Sequence, residues 1–217
     1  VTENVETNRT VALRFHHLLS QVCFYGKLSN LFSSFGWTVE VGGITLHNVN
    51  AAGTVQFATT TFNFTANTES PVLQDYTLAP ASASGITVSS TTDAVALTSA
   101  TDVTMLMPQE LTAWIPASES GGTTIDTNDS GTKGCYLDIQ LRIKDKDGSY
   151  LLSGNDDDYK TVYVPFAATW LCNTRYKYTL VFGGGYDAQG YPIVHPAGTT
   201  AAIEPWQTAT VTGTATH

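Results

Sequence analysis

The sequence predicts an all-β protein, an antiparallel β-sandwich, and three observations carry that prediction. The first is alternation. Over residues 159–182, Val162, Val164 and Phe166 alternate with Thr161, Tyr163 and Pro165, and Tyr176, Tyr178, Leu180 and Phe182 alternate with Arg175, Lys177, Thr179 and Val181. A period of two gives an extended chain one apolar and one polar face, which is a half-buried strand and not a helix. The second is the run Cys135, Leu137, Ile139, Leu141 and Ile143, interleaved with Tyr136, Asp138, Gln140 and Arg142. The third is composition. Charged residues make up only 13% of the chain, against about 25% in an average domain. The polar surface is therefore built from Thr, Ser, Asn and Gly. Thr suits a pleated strand, whereas Lys and Glu suit helices. No amphipathic helix longer than about two turns is visible.

Taken in chain order, residues 1–9 are polar and read as a linker or arm, and residues 10–217 as one sandwich domain. Val11, Leu13 and Phe15 alternate as a first strand. Residues 16–21 read as a turn, 22–25 as extended chain and 29–34 as a loop. Residues 37–49, WTVEVGGITLHNV, read as one long strand in which Gly42 and Gly43 predict a bulge or bend. One or two strands are expected over 53–64. The stretch 66–100 is rich in Ser, Thr and Ala, and its broken patterning predicts only brief strands at 86–88 and 95–97. Residues 103–107 read as a buried strand closed by Pro108, and 117–133 as an exposed loop. After the 135–143 strand, Asp147 and Gly148 mark a turn. Residues 159–182 are expected to fold as a β-hairpin ended by Gly183, Gly184 and Gly185. One or two last strands cover 200–206 and 208–214.

Several function classes are disfavoured by the residues themselves. A net charge of −9 argues against nucleic acid, which needs clustered Lys and Arg, and against anionic lipid. No run of 18 apolar residues is present to span a membrane. The start, VTENVETNRT, has neither an initiator Met nor a signal-peptide pattern, so the chain reads as a piece of a longer precursor. Cys23, Cys135 and Cys172 are odd in number, which rules out a complete internal disulfide framework. They read as small buried hydrophobes, with one inter-strand disulfide left open. No Cys pair has zinc-ligand spacing.

No catalytic constellation can be assembled either. His16 and His17 are adjacent, and adjacent residues on a strand face opposite ways, so they cannot chelate one ion there. His47 and His195 each read as standing alone. The runs 126–131, 145–148 and 155–158 are rich in Asp and Asn but lack the twelve-residue loop with a terminal Glu that calcium favours, and they read as solvated turns. No Ser-His-Asp or paired-Glu arrangement stands out. No enzyme activity, cofactor or metal is expected.

Five segments line up in order: FHHLLSQVCF at 15–24, VGGITLHNV at 41–49 followed by Gly53, MLMPQ at 105–109, Trp170 with YKYTL at 176–180, and IEPW at 203–206. In this order the chain resembles the C-terminal domain of the fimbrillin, or type V pilin, family of Bacteroidota. The resemblance implies a transthyretin-like β-sandwich, export as a lipoprotein, and display on the outer membrane as a fimbrium subunit. It also implies polymerisation: an Arg-specific protease removes an N-terminal strand, and a neighbouring subunit's strand fills the groove. The family's N-terminal domain, with its lipidated Cys and protease site, has no counterpart in this sequence and is expected upstream of Val1.

The expected function is therefore structural or adhesive: a fimbrial subunit that assembles by β-strand donation, with other fimbrial subunits as partners. The candidate strand-exchange segments are the terminal ones, carrying Val11, Leu13 and Phe15 at the start and Ala209 and Val211 at the end. The alternative is a non-polymerising surface lipoprotein whose loops bind a glycan or a host protein. Trp114, close to a loop and followed by Ile115-Pro116, is the candidate exposed aromatic for that reading.

Overall fold

Apolar residues at every second position give the strands two unlike faces, and the core forms where the apolar faces of two sheets meet. The computed structural model describes residues 11–14, 17–57, 62–114, 134–183, 185–186, 192–193, 200–205 and 210–213. In chain order these form β1 (Val11–Arg14), β2 (Ser20–Leu28), α1 (Asn30–Ser34), β3 (Thr38–Asn50), β4 (Gly53–Phe57), β5 (Phe62–Ala66), β6 (Leu73–Leu78), β7 (Ile86–Val88), β8 (Val95–Ala96), β9 (Thr104–Leu106) and β10 (Glu110–Leu111). The second half adds β11 (Tyr136–Lys144), β12 (Tyr150–Leu152), β13 (Lys160–Pro165), β14 (Ala168–Thr169), β15 (Thr174–Phe182), β16 (Gly185–Tyr186), β17 (Pro192–Ile193), β18 (Thr200–Pro205) and β19 (Thr210–Gly213). The fold is an all-β sandwich.

In the first sheet β11 is central. It pairs antiparallel with β3 on one side and with β12 and β13 on the other, and β6 and β7 complete the β3 side. In the second sheet β15 is central, between β18 and β2, with β8 and β9 beyond β2. One pairing departs from the expected antiparallel pattern: β2 and β15 run parallel, from Ser20 opposite Thr174 to Leu28 opposite Phe182. Parallel neighbours need a long crossover, and here all six strands of the other sheet lie between them in sequence.

The alternation read from the sequence fixes the core. Leu137, Ile139, Leu141 and Ile143 are fully buried on β11, and Tyr176, Tyr178, Leu180 and Phe182 face them from β15. Phe24 of β2 packs on Phe166 and Tyr178, with ring centroids 5.8 and 5.4 Å apart. The glycine pair at 42–43 forms the expected bulge: Gln140 pairs with Gly43 and Leu141 with Val41, which leaves Gly42 as the extra residue.

Further expectations fail. The stretch 66–100 holds the six-residue strand β6 as well as the brief ones, and β2 begins at Ser20, inside the expected turn. The 159–182 hairpin does not form, because β13 joins the first sheet and β15 the second. The connection explains why. Residues 166–173 carry Phe166 and Trp170, both buried, and a stretch with two such anchors passes from one sheet to the other instead of closing a tight turn in water. It is tied to β15 as it crosses: Trp170 Nε1 donates to Tyr178 Oη and Leu171 N to Tyr176 Oη, each at 2.9 Å. Residues 29–34 are also not a plain loop. Ser29 Oγ accepts from Phe32 N at 3.3 Å and caps the short helix α1, and Phe32 is fully buried. The arm at 1–9, the loop at 117–133, Trp206 and His195 lie outside the described residues.

Candidate functional site: terminal strands, the Gln109 clefts and the His47 cluster

The two terminal segments singled out in the sequence meet. β1 and β19 pair antiparallel, with Val11 opposite Gly213, Ala12 opposite Thr212, Leu13 opposite Val211 and Arg14 opposite Thr210. Among the described residues they make a two-stranded sheet of their own, outside both main sheets. Phe15 and Ala209 lie outside the described residues.

A second candidate lies where β3 hands over to β4, at one end of the sandwich. Gln109 is buried there. Its Oε1 accepts from Asn50 N at 3.1 Å, while its Nε2 donates to Asn50 O at 3.0 Å and to Met107 O at 3.1 Å. Asn50 in turn donates from Nδ2 to Asn67 O at 2.7 Å, and its Oδ1 accepts from Ala52 N and Val72 N. Every side-chain polar atom of this pair has a partner, so the network fixes the exits of β3 and β5 and the approach to β6. Open clefts of about 330 and 590 Å³ flank it, sharing Ala66, Thr68, Gln109 and Glu110. The larger also takes in Phe64, Trp170 and Leu171, and Leu171 is 60% exposed. Among the described residues, Glu110 is the one ionisable carboxylate lining either cleft. The clefts thus offer apolar contact and hydrogen bonds, and no acid–base pair.

Trp114 is half-buried, not fully exposed, and its ring centroid lies 5.8 Å from that of Tyr136. Tyr136 also stacks on His47 at 4.5 Å. His47 does not stand alone. Its Nδ1 is 3.0 Å from Asp75 Oδ2 and its Nε2 is 3.9 Å from Asp138 Oδ2. Sequence alternation places Asp138 on the wet face of its strand, but only the strand register brings His47 beside it. Burial pushes the Asp138 carboxyl above the usual carboxylate range, against the pull of His47.

The Asp-rich turns behave as local structure. Asp145 Oδ1 accepts from Asp147 N and Ser149 N at 2.9 and 2.8 Å. Among the described residues no group of three His, Cys, Asp or Glu side chains is placed to hold a metal ion. Cys23, Cys135 and Cys172 form no disulfide; Cys23 and Cys135 are buried and Cys172 is half-buried. Burial pushes the Cys135 thiol up to about 12, so it is no nucleophile at neutral pH.

The fimbrillin-like family model matches residues 1–206. No curated protein matches the sequence. A crystal structure of a fimbrial protein from Bacteroides vulgatus ATCC 8482 is similar at 15% identity and a TM-score of 0.43, over 89% of this chain and 56% of that one. The chain thus spans just over half the length of that protein. With the family match running across nearly all of its residues, this chain belongs to the fimbrillin-like family.

Proposed function

We propose that this chain is a subunit of a bacterial surface fimbria and that subunits join by exchanging β-strands, with β1 and β19 as the exchanged segments. Membership of a fimbrial family supports a structural and not an enzymatic role. The observation that carries the strand assignment is the isolated β1–β19 ladder. A two-stranded ribbon is marginally stable alone. Opening it breaks no hydrogen bond of either main sheet, and each freed strand regains its ladder on a second subunit. Main-chain bonds then supply affinity, and alternate side chains supply specificity. In this reading the protein works at the cell surface, on the outer membrane, as a transthyretin-like sandwich with other fimbrial subunits as its partners.

The test uses the full-length mature protein treated with an Arg-specific protease. Negative-stain microscopy and a semi-native gel should show filaments and a detergent-resistant ladder. Leu13→Pro and Val211→Pro each remove a backbone N–H and fix φ within these strands, and should leave folded monomers. Filaments from both variants at the wild-type yield would exclude β1 and β19 as the joining strands. No filaments from the cleaved wild type would exclude polymerisation itself.

A further inference from the structure

The edge of a sheet is a template for another strand, and natural edges are blunted by shortness, Lys or Pro. Among the described residues, most edges of the two main sheets are blunted in this way. β7, β8, β9 and β12 have only two or three residues each. β13 starts at Lys160 and ends at Pro165, and β18 ends at Pro205. β6 is different. It has six residues, LQDYTL, with neither Lys nor Pro. Among the described residues it pairs with β3 alone, which leaves its other edge open. Leu73, Gln74, Asp75 and Thr77 are exposed along it.

The two faces of β6 are unlike. Tyr76 and Leu78 lie on the core side, opposite Leu46 and Ile44 of β3. Asp75 and Thr77 lie on the outer side. Thr77 Oγ1 is 3.3 Å from Thr45 Oγ1. Asp75 Oδ1 accepts from Asn48 N at 3.1 Å, and its Oδ2 is 3.0 Å from His47 Nδ1. These contacts hold Asp75 in place from the β3 side, while 57% of its side chain stays exposed. It is the only charged residue of the strand.

We propose that the open edge of β6 accepts β1 of a second copy of this chain, antiparallel, with Leu13 beside Tyr76 and Arg14 beside Asp75. This rests on β1 being an exchanged strand. The register follows from matching the two strands. β1 reads VALR, with Val11 and Leu13 on one face and a single charge at Arg14 on the other. Setting Arg14 against Asp75 in the antiparallel sense puts Leu13 against Tyr76, Ala12 against Thr77 and Val11 against Leu78. The apolar pair then extends the core face, and the cation meets the exposed carboxylate on the outer face. A parallel strand with the same charge pair would set Leu13 against Gln74 and Val11 against Val72, which are exposed. A slip of one residue would turn Leu13 to the outer face. In the matched register the six-stranded sheet gains a further strand from the neighbour. Main-chain bonds along the edge supply affinity, and the Tyr76 and Asp75 positions supply specificity.

The test uses the full-length mature protein, carried through the same protease step. Leu13→Cys and Tyr76→Cys are prepared separately, mixed during assembly and oxidised. A non-reducing gel should show covalent dimers from the mixture, lost on reduction, and none above the wild-type level from either variant alone. Replacing the second partner by Thr77→Cys, which faces the other way, should give several-fold less dimer. Filaments from the mixture without that dimer would overturn β6 as the acceptor and leave strand exchange standing. No filaments from the cleaved wild type would remove strand exchange and this acceptor with it. Should Tyr76→Cys not fold, an exchange of charges decides. Asp75→Lys should lower filament yield several-fold, and adding Arg14→Glu in the same chain should restore it. A folded Asp75→Lys chain that assembles at the wild-type yield, or one that Arg14→Glu does not restore, would overturn the proposal.

Discussion

The carboxamide of Gln109 pairs with the backbone of Asn50 as a neighbouring strand would, accepting from its N–H at 3.1 Å and donating to its C=O at 3.0 Å. Both residues are buried. Gln109→Ala therefore strands a donor and two acceptors, and should cost about 1–3 kcal/mol in urea unfolding. Gln109→Glu should be worse at pH 7. Its carboxylate still accepts from Asn50 N but turns a charge toward the Asn50 and Met107 carbonyls, which have lost their donor. An order in which Glu is tolerated better than Ala would show that the carboxamide is not acting as a surrogate strand.

Tyr159 lies over the β3 bulge and explains two glycines differently. A Cβ on Gly42 would stand 2.9 Å from the Tyr159 ring, which Arg142 covers from 4.6 Å. A Cβ on Gly85 would meet Tyr159 Oη at 2.2 Å, and Gly85 also has φ +84°. Gly42→Ala should thus cost about 1 kcal/mol, and Gly85→Ala about 1–3 kcal/mol. Adding Tyr159→Ala separates the causes in a double-mutant cycle. It should absorb most of the Gly42→Ala penalty and leave the backbone part of the Gly85→Ala penalty. Simple additivity at Gly42 would rule out the ring as the reason for that glycine.

These cases mark what could be read from sequence. Alternation on β11, β13 and β15 gave the core faces correctly because a face depends only on period, and Gly42-Gly43 announced its bulge because glycine is the residue such a site admits. Pairing was another matter. Val162 and Tyr176 present equally good apolar faces, and nothing local says whether their strands lie side by side or across the core. The discriminating signal was Phe166 and Trp170 in the connection, two large apolar residues where a turn should be polar. His47 seemed isolated for the same reason: Asp75 and Asp138 lie far from it in sequence, and only register brings them together. Helix α1 has five residues, too few for a helical period to emerge.

The crossing segment has its own test. Trp170 Nε1 donates to Tyr178 Oη at 2.9 Å in the core, and burial pushes the Tyr178 hydroxyl up to about 12, so it stays a neutral partner throughout the physiological range. Tyr178→Phe keeps the ring packing against Phe24 and Phe166 and removes only the oxygen. The buried indole N–H is then unsatisfied, and the loss should be about 1–3 kcal/mol. Tyr163→Phe, on the wet face of β13, should change stability by less than about 0.5 kcal/mol. Equal losses at the two positions would mean that the Trp170 bond does not anchor the crossing.

At acid pH the stability of the first sheet should turn on Glu40. Burial alone would raise its carboxyl, but hydrogen bonds from Lys144 and Arg142, with their charges, outweigh that and hold it below the usual carboxylate range. A carboxyl depressed on folding adds stability that is complete above its unfolded value, and that stability is lost as pH falls through the folded one. Glu40→Gln should therefore unfold at lower urea than the wild type at pH 7, with the gap closing as pH falls below the usual carboxylate range, where the wild-type carboxylate takes up its proton. A gap between wild type and Glu40→Gln that stays constant from pH 7 to pH 3 would show that the Arg142 and Lys144 contacts contribute packing and not charge.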